Sequence, residues 1–173
     1  MKGHEMKPYL LMITLLAAPL IHLPAHAHGD KSPPATARFA AEQTAWGIAG
    51  NPEQFDRTVI LDMTDAMRFS PDQLTVEEGE TIRFVVKNTG RMLHEIVIGT
   101  ADELARHAAM MARFPNMQHD EAYMAHVEAG KTGEIVWTFN RTGNYEFACL
   151  IAGHYESGMR GAIIVTSKQG TTK

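Results

Sequence analysis

The chain has 173 residues, of which 45% are hydrophobic and 21% charged, and its formal net charge at pH 7 is -4. This composition is that of one ordinary globular domain, and it excludes a disordered or fibrous protein. The slight acidity excludes the basic surface that nucleic-acid binding requires, so no nucleic-acid partner is expected.

The first 27 residues have the form of a secretory signal. Lys2 and Lys7 precede an apolar run over residues 9–23, and residues 25–27, Ala-His-Ala, have the small-x-small pattern of a signal-peptidase site. Prolines interrupt the apolar run and no later stretch is long enough to cross a bilayer, so we expect no retained anchor. Cleavage after this site would leave His28 as the first residue of an exported, periplasmic protein.

The pattern changes twice in the remainder of the chain. Residues 28–56 are rich in Pro, Ala and Gly without a sustained period, which predicts an extension packed on the domain rather than a unit that folds alone. From residue 57 short β-type runs alternate with turn residues, so residues 57–168 are predicted to form the folded domain. Residues 169–173 are expected to be a disordered tail. The predicted strands are 58–63, 73–76, 81–87, 95–98, 133–139, 143–149 and 161–166.

One segment interrupts the β pattern. Residues 101–112 are strong helix formers, Thr100 or Asp102 can cap the start of the helix, and Pro115 limits its length. This helix opens an insertion, residues 100–129, that is rich in Met and His. Short strands around one partly helical insertion predict an all-β fold, a Greek-key sandwich or barrel of antiparallel strands.

The single cysteine stands among residue types that bind metals. His154 and Met159 follow Cys149 by five and ten residues, spacings that one loop can fold around an ion, while His94 opens a separate predicted strand. An unpaired thiol in an exported protein is an oxidation liability unless something occupies it. One thiolate, two imidazoles and a weak axial thioether form the ligand set of a blue-copper (type 1) centre. We therefore predict that these four residues bind copper, as Cu(I) or Cu(II).

Each of the four residues, taken singly, has a plainer explanation. A buried cysteine can be purely structural, and a methionine such as Met159 can simply fill core volume. A lone histidine is more often a structural or surface residue than a metal ligand. The metal interpretation depends on all four occurring together in a β pattern that places them at one end of the fold.

On these motifs the chain resembles the cupredoxins, the family of plastocyanin and azurin, over about residues 57–167. The resemblance rests on residues 74–84, 88–94 and 149–159. It implies that His94, Cys149 and His154 are equatorial copper ligands and that Met159 is the axial one.

Two features depart from the family pattern. Many electron-transfer cupredoxins have Asn directly after the first histidine ligand, whereas this chain has Glu95, so we expect different support around the copper ligands. The chain also lacks the His-x-His and His-Cys-His motifs that supply trinuclear copper, so a multicopper oxidase is not expected.

Three further segments are similar to periplasmic cupredoxins of the CopI type, which are linked to copper tolerance. These segments are residues 51–59, 67–69 and 130–134. The resemblance implies a periplasmic protein that binds, buffers or oxidises excess copper, with copper ions and a redox or copper-delivery protein as partners. The alternative is a soluble one-electron carrier that exchanges electrons through the imidazole edge of His154. A cuprous oxidase is a third hypothesis, but no acid/base constellation supports it, so we expect a protein that is not an enzyme.

The insertion offers additional copper ligands, because thioethers prefer Cu(I) and imidazole accepts either copper state. The candidates for a second, weaker site are Met117, His119, Met124 and His126. The alternative is that His107, Met110 and Met111 merely pack one helix face onto the sandwich. His28 is a further candidate, because a free α-amine beside its imidazole can chelate Cu(II); otherwise it is a flexible terminus.

Overall fold

The computed structural model describes residues 43–115, 117 and 119–168. These residues all belong to one unit of the chain, residues 33–173. The predicted signal segment, the copper candidate His28 and the predicted tail lie outside the described residues. Within the described part of the chain, no helix is both long and apolar enough to span a membrane.

The described residues form two five-stranded sheets and one helix. The first sheet has the strand order β1-β8-β5-β2-β3, and the second has the order β4-β10-β9-β6-β7. The elements in chain order are β1 Ile48–Ala49, β2 Arg57–Thr64, β3 Arg68–Ser70, β4 Gln73–Glu77, β5 Glu80–Asn88, β6 His94–Gly99, α1 Ala101–Arg113, β7 Met124–Val127, β8 Thr132–Phe139, β9 Gly143–Ala148 and β10 Arg160–Thr166.

The predicted all-β sandwich with one helix is confirmed. All seven predicted strands are present, but β1, β3 and β7 were not predicted, because runs of two to four residues are too short to show a period. The expectation of antiparallel strands was partly wrong: β2 pairs with β5, and β4 with β10, in parallel. Between β2 and β5 the chain passes through the other sheet and returns in the same direction, which the alternation of side chains does not encode.

The core lies between the two sheets, where β5 contributes Ile82, Phe84 and Val86 from one face. Phe84 packs edge-to-face on Phe139, with ring centroids 6.2 Å apart. A strand with one face on the core buries alternate residues, which explains the period of two that the sequence shows in β5. Parallel and antiparallel pairings on both sides of β5 fix its register.

Strand β6 differs because it is buried on both faces. Ile96 and Ile98 belong to the core between the sheets, whereas Val97 belongs to a second hydrophobic cluster against α1. Neighbouring residues of a strand point to opposite faces. His94 therefore shares the inner face with Ile96, and Glu95 shares with Val97 the outer face, the face of this sheet that α1 covers.

Helix α1 begins at a well-formed cap. The Thr100 hydroxyl accepts a hydrogen bond from the backbone N–H of Glu103 and donates one to the Glu103 carboxylate, at 3.3 and 2.6 Å. The buried helix face, at i, i+4 and i+7, consists of Leu104, Ala108 and Met111. Of the three residues that the packing alternative named, Met111 is buried against the sandwich and His107 is half-buried, but Met110 is 40% exposed.

Candidate metal centre

His94, Cys149 and His154 lie together at one edge of the second sheet. His94 begins β6 and Cys149 follows β9, and because these strands are antiparallel, the start of one meets the end of the other. The ligand atoms of the three residues all lie within 4.8 Å of one another. His94 and Cys149 are fully buried, while His154 is half-buried. The structure thus brings together three of the four predicted type 1 ligands.

The loop from Cys149 to Met159 is closed by its own backbone. The N–H of Cys149 donates to the carbonyl of Met159 at 3.0 Å, and the N–H of Met159 donates to the carbonyl of His154 at 3.1 Å. Gly153 and Gly158 both have φ of +87°, a conformation that side chains of L-residues disfavour. The Met159 side chain is fully buried among the core residues. The loop therefore holds the thiol, the second imidazole and the thioether in one local unit.

The His94 imidazole is oriented by Asp65. Its Nε2 lies 3.2 Å from Asp65 Oδ1, which leaves Nδ1, and this second nitrogen is buried without a hydrogen-bond partner among the described residues. An unpartnered buried nitrogen is costly unless it binds something. A carboxylate on one ring nitrogen and a metal on the other is the common arrangement of a histidine ligand, so this residue fits the implied copper ion.

Asp65 is itself positioned by hydrogen bonds from the segment that precedes His94. It lies in the β2–β3 turn, and its carboxylate accepts hydrogen bonds from the backbone N–H groups of Arg91 and Met92. The bond from Arg91, and to a smaller extent His94, lowers the pKa of the Asp65 carboxyl below its usual value. A Cβ at Gly90 would collide with this carboxylate, which explains a glycine there. Asp65 thus links the turn to the segment that leads into His94.

That segment is also braced by Asn88, which is buried at the end of β5. The side-chain amide of Asn88 donates to the carbonyls of Met92 and Val127 at 2.7 and 2.8 Å, and its oxygen accepts from the N–H of Gly90. One side chain therefore ties the turn before His94 to β7. The position of His94 is fixed by tertiary contacts on both sides of the chain.

Burial disfavours the charged forms of Cys149 and His154. Burial raises the pKa of the Cys149 thiol to about 12, although the backbone N–H of Glu95 donates to Sγ at 3.4 Å. Burial, and then the nearby His94, lower the pKa of His154. The thiol consequently keeps its proton at neutral pH until a metal displaces it, while neutral imidazole has a lone pair to donate.

Glu95 supports the ligand loop. Its side chain is fully buried, and its Oε1 accepts a hydrogen bond from the backbone N–H of Leu150 at 2.8 Å. Through its own N–H and its carboxylate, Glu95 contacts both the Cys149 sulfur and the first residue of the loop beyond it. The physical form of the support from Glu95 is a carboxylate brace from β6 to the loop.

A second group of side chains lies on the outer face of β6. We call Glu95, His107, His119 and His126 the outer histidine cluster. His126 Nε2 lies 2.9 Å from Glu95 Oε2, and the Nε2 atoms of His107 and His119 are 2.5 Å apart. Burial lowers the pKa of His107, and the Glu95 carboxylate raises the pKa of His126.

The structure places the four predicted ligands of a second copper site in two different surroundings. His119 and His126 belong to the outer histidine cluster. Met124 is buried in the hydrophobic cluster under α1, and the half-buried Met117 packs against the same cluster. His107 and Glu95 were not among the predicted ligands of this site. Two features of the sequence could have indicated them. His107 lies in the predicted helix, and Glu95 directly follows His94 in a strand, so the two side chains point to opposite faces.

The comparisons with known proteins agree with this geometry. The family described as copper binding proteins, plastocyanin/azurin family, matches residues 57–166. The copper-resistant cuproprotein CopI of Rubrivivax gelatinosus is 44% identical over 166 residues, which cover 95% of this chain and 99% of that protein. CopI of Pseudomonas aeruginosa is 32% identical over 154 residues, covering 72% of this chain and 84% of that protein.

Solved structures show the same fold. Auracyanin B superposes with a TM-score of 0.58 at 22% identity, covering 70% of this chain and 96% of that protein. Reduced auracyanin from Roseiflexus castenholzii gives a TM-score of 0.56 at 23% identity, covering 65% and 99%.

Proposed function

Because the chain belongs to the plastocyanin/azurin family of copper-binding proteins and is similar along most of its length to copper-resistant CopI cuproproteins, we propose that it binds copper in copper tolerance. The ligands are His94, Cys149, His154 and Met159. The observation that carries this assignment is the buried, unpartnered Nδ1 of His94, close to a buried thiol and a second imidazole.

The donor set fits a mononuclear type 1 centre. Copper held by two imidazoles, one thiolate and a weak thioether supplies one-electron chemistry between Cu(I) and Cu(II). The contribution of the chain is to keep the ligand atoms in one arrangement: Asp65 orients His94, and Glu95 holds the loop after Cys149. The burial of Cys149 also excludes water and oxidants from the thiol.

The protein is exported in this proposal and acts without catalysing a reaction of its own. Export is supported by the signal-like residues 1–27 and by the single unpaired cysteine, which a metal would protect. N-terminal sequencing of the mature protein should begin at His28. Oxygen consumption on addition of Cu(I) would instead indicate a cuprous oxidase.

The second candidate function is one-electron transfer between redox partners. The observation in its favour is that His154 is half-buried while His94 and Cys149 are fully buried, so its imidazole edge is the route by which an electron leaves the site. Growth distinguishes the two functions. A carrier would leave copper tolerance unchanged when its gene is deleted, whereas a copper-handling protein would not.

The test of the proposed site is Cys149→Ser in the full exported protein. The intense visible thiolate-to-Cu(II) absorption should be lost completely, because Cys149 is the only thiol in the chain. The far-UV circular dichroism should stay unchanged, and the variant should fail to restore growth of a deletion strain in high copper. Met110→Leu is the matched control, because it removes an exposed thioether outside the site. Retained colour in Cys149→Ser, or a colourless copper complex of the unaltered protein, would overturn the proposed ligand set.

A further inference from the structure

The outer histidine cluster contains a pair of imidazoles that face each other at very short range. The Nε2 atoms of His107 and His119 are 2.5 Å apart, and the two rings are nearly perpendicular, at 87°. Two ring nitrogens at this separation cannot both carry a proton. At this distance they share one proton, and their lone pairs can bind a common cation only if the rings move apart. The lowered pKa of His107, caused by burial and by His119, favours the form with a free lone pair.

A buried carboxylate lies in the same cluster. Glu95 is fully buried, and while Oε1 accepts from Leu150, Oε2 has no hydrogen bond of acceptable geometry among the described residues. His126 Nε2 is 2.9 Å from Oε2, within ion-pair distance, and this carboxylate raises the pKa of His126. The Nδ1 atom of His119 is likewise buried without a partner. A buried carboxylate favours a neighbouring cation, which is either a protonated His126 or a metal ion bound by the cluster.

The four side chains come from two neighbouring strands, from the helix and from the segment between the helix and β7. Glu95 on β6 is the direct cross-strand neighbour of His126 on β7, so the two share one face of the sheet. His107 comes from α1, which covers that face, and His119 comes from the segment between α1 and β7. The centroids of the His119 and His126 rings are 6.4 Å apart. The cluster is therefore a convergence of tertiary structure rather than a run of neighbouring histidines.

We propose that His107, His119, His126 and Glu95 form a second copper site, which binds Cu(II) on the outer face of β6. Three imidazoles and one carboxylate are nitrogen and oxygen donors, a set that suits Cu(II), and Cu(II) is the most tightly bound of the common divalent metals at such sites. The carboxylate offsets part of the ion's charge. The inference rests on the proposed function for the identity of the metal, but it uses none of the four type 1 ligands.

Binding requires a rearrangement, because the described residues whose ligand atoms already lie within 4.8 Å of one another are those of the inner site. Two nitrogens that each lie about 2.0 Å from one metal ion in tetrahedral geometry are roughly 3.3 Å apart, so His107 and His119 must separate by somewhat less than ~1 Å. His119 lies outside helices and strands, so its shift breaks no backbone hydrogen bond of the sheets or of α1. The other three residues are held by α1, β6 and β7.

The experiment compares three forms of the exported protein, each carrying His28→Ala so that the amino terminus does not bind Cu(II). The forms are otherwise unaltered, His107→Gln with His119→Gln, and Cys149→Ser. Each is titrated with Cu(II), desalted and measured for bound copper, visible absorption and electron paramagnetic resonance. We expect the first form to hold one more copper ion than either of the others. The histidine variant should keep the intense thiolate absorption, and Cys149→Ser should hold a colourless Cu(II) with couplings to imidazole nitrogen.

The outcomes separate this inference from the proposed function. If the histidine variant binds as much copper as the first form, or if the first form binds only one coloured copper, the second site is wrong. If copper binds without thiolate absorption and is lost in the histidine variant, the second site stands and the type 1 assignment fails. His126→Gln provides an independent variant on β7 should the double substitution fail to fold, and Met110→Leu on α1 is the control. A site that takes Zn(II) but not Cu(II) would overturn the choice of metal.

Discussion

The two sides of β6 hold similar side chains in different ways. On the inner face His94 meets Cys149 and His154 in a site built from strand ends and one self-closed loop, with Asp65 and Glu95 as braces. On the outer face His107 lies on α1, His126 lies on β7, and His119 lies outside helices and strands. Neighbouring residues thus lead to a proposed site of braced ligands on one face and to a proposed site on the other face that includes one residue, His119, outside regular structure. The comparison shows that the same residue type, histidine, receives different support from the elements around it on the two faces.

The largest effect is expected from a substitution that weakens the hydrophobic core beside the inner site. Phe147 is fully buried two residues before Cys149 and packs edge-to-face on Phe69, with ring centroids 5.0 Å apart. Phe147→Ala should lower the free energy of unfolding of the metal-free protein by about 3–5 kcal/mol, because it leaves a cavity in the core. Urea denaturation measures the effect, with Phe147→Leu as the milder control. A loss below ~1 kcal/mol would mean that this ring does not support the site.

A more selective change removes the brace on His94. Asp65→Ala should lower the copper affinity of the coloured centre by roughly 10–100-fold, since a carboxylate partner orients a histidine ligand. Asp65→Asn, which keeps an oxygen acceptor, should lose less. Competition with a copper chelator, followed by the thiolate absorption, measures both. Equal losses in the two variants would show that the charge of Asp65 matters more than its hydrogen bond to His94.

Substitutions of Glu95 test whether its hydrogen bond to the ligand loop stabilises the fold. Glu95→Asn shortens the side chain and removes the hydrogen bond to the Leu150 N–H, so unfolding of the metal-free protein should become easier by about 1–3 kcal/mol. Glu95→Gln keeps the length and the acceptor oxygen and should cost less. Thermal and urea unfolding measure the difference. If Asn is as stable as Glu, the brace between β6 and the loop contributes nothing to the fold.

The smallest expected effect concerns the outer side alone. Thr100→Ala removes the cap of α1 and should cost about 1 kcal/mol of stability, because the Glu103 N–H loses its acceptor. Thr100→Ser keeps the hydroxyl and serves as the control. The thiolate absorption should be identical in both variants. A shift of that absorption in Thr100→Ala would show that α1 influences the inner site after all.

The sequence allowed much of the fold and of the inner site to be predicted. Alternation in β5 is visible in the sequence because only one of its faces meets the core. Three of the proposed type 1 ligands, Cys149, His154 and Met159, lie at short spacings in one segment. The outer histidine cluster was predicted only in part. β6 is buried on both faces, so its continuous burial hides the parity that separates His94 from Glu95. Asp65 was missed because its contact with His94 spans 29 residues and depends on a hairpin turn.

The parallel pairing of β2 with β5, and of β4 with β10, has a consequence for the order of assembly. Contacts between segments far apart in the chain form slowly, because closing the intervening loop costs conformational entropy before any contact stabilises it. His94 and Cys149 meet only when β6 and β9 are paired, so the inner site does not exist in the newly made chain. The complete set of proposed ligands therefore forms only with the fold, and the Cys149 thiol is accessible to oxidants until β6 and β9 have paired.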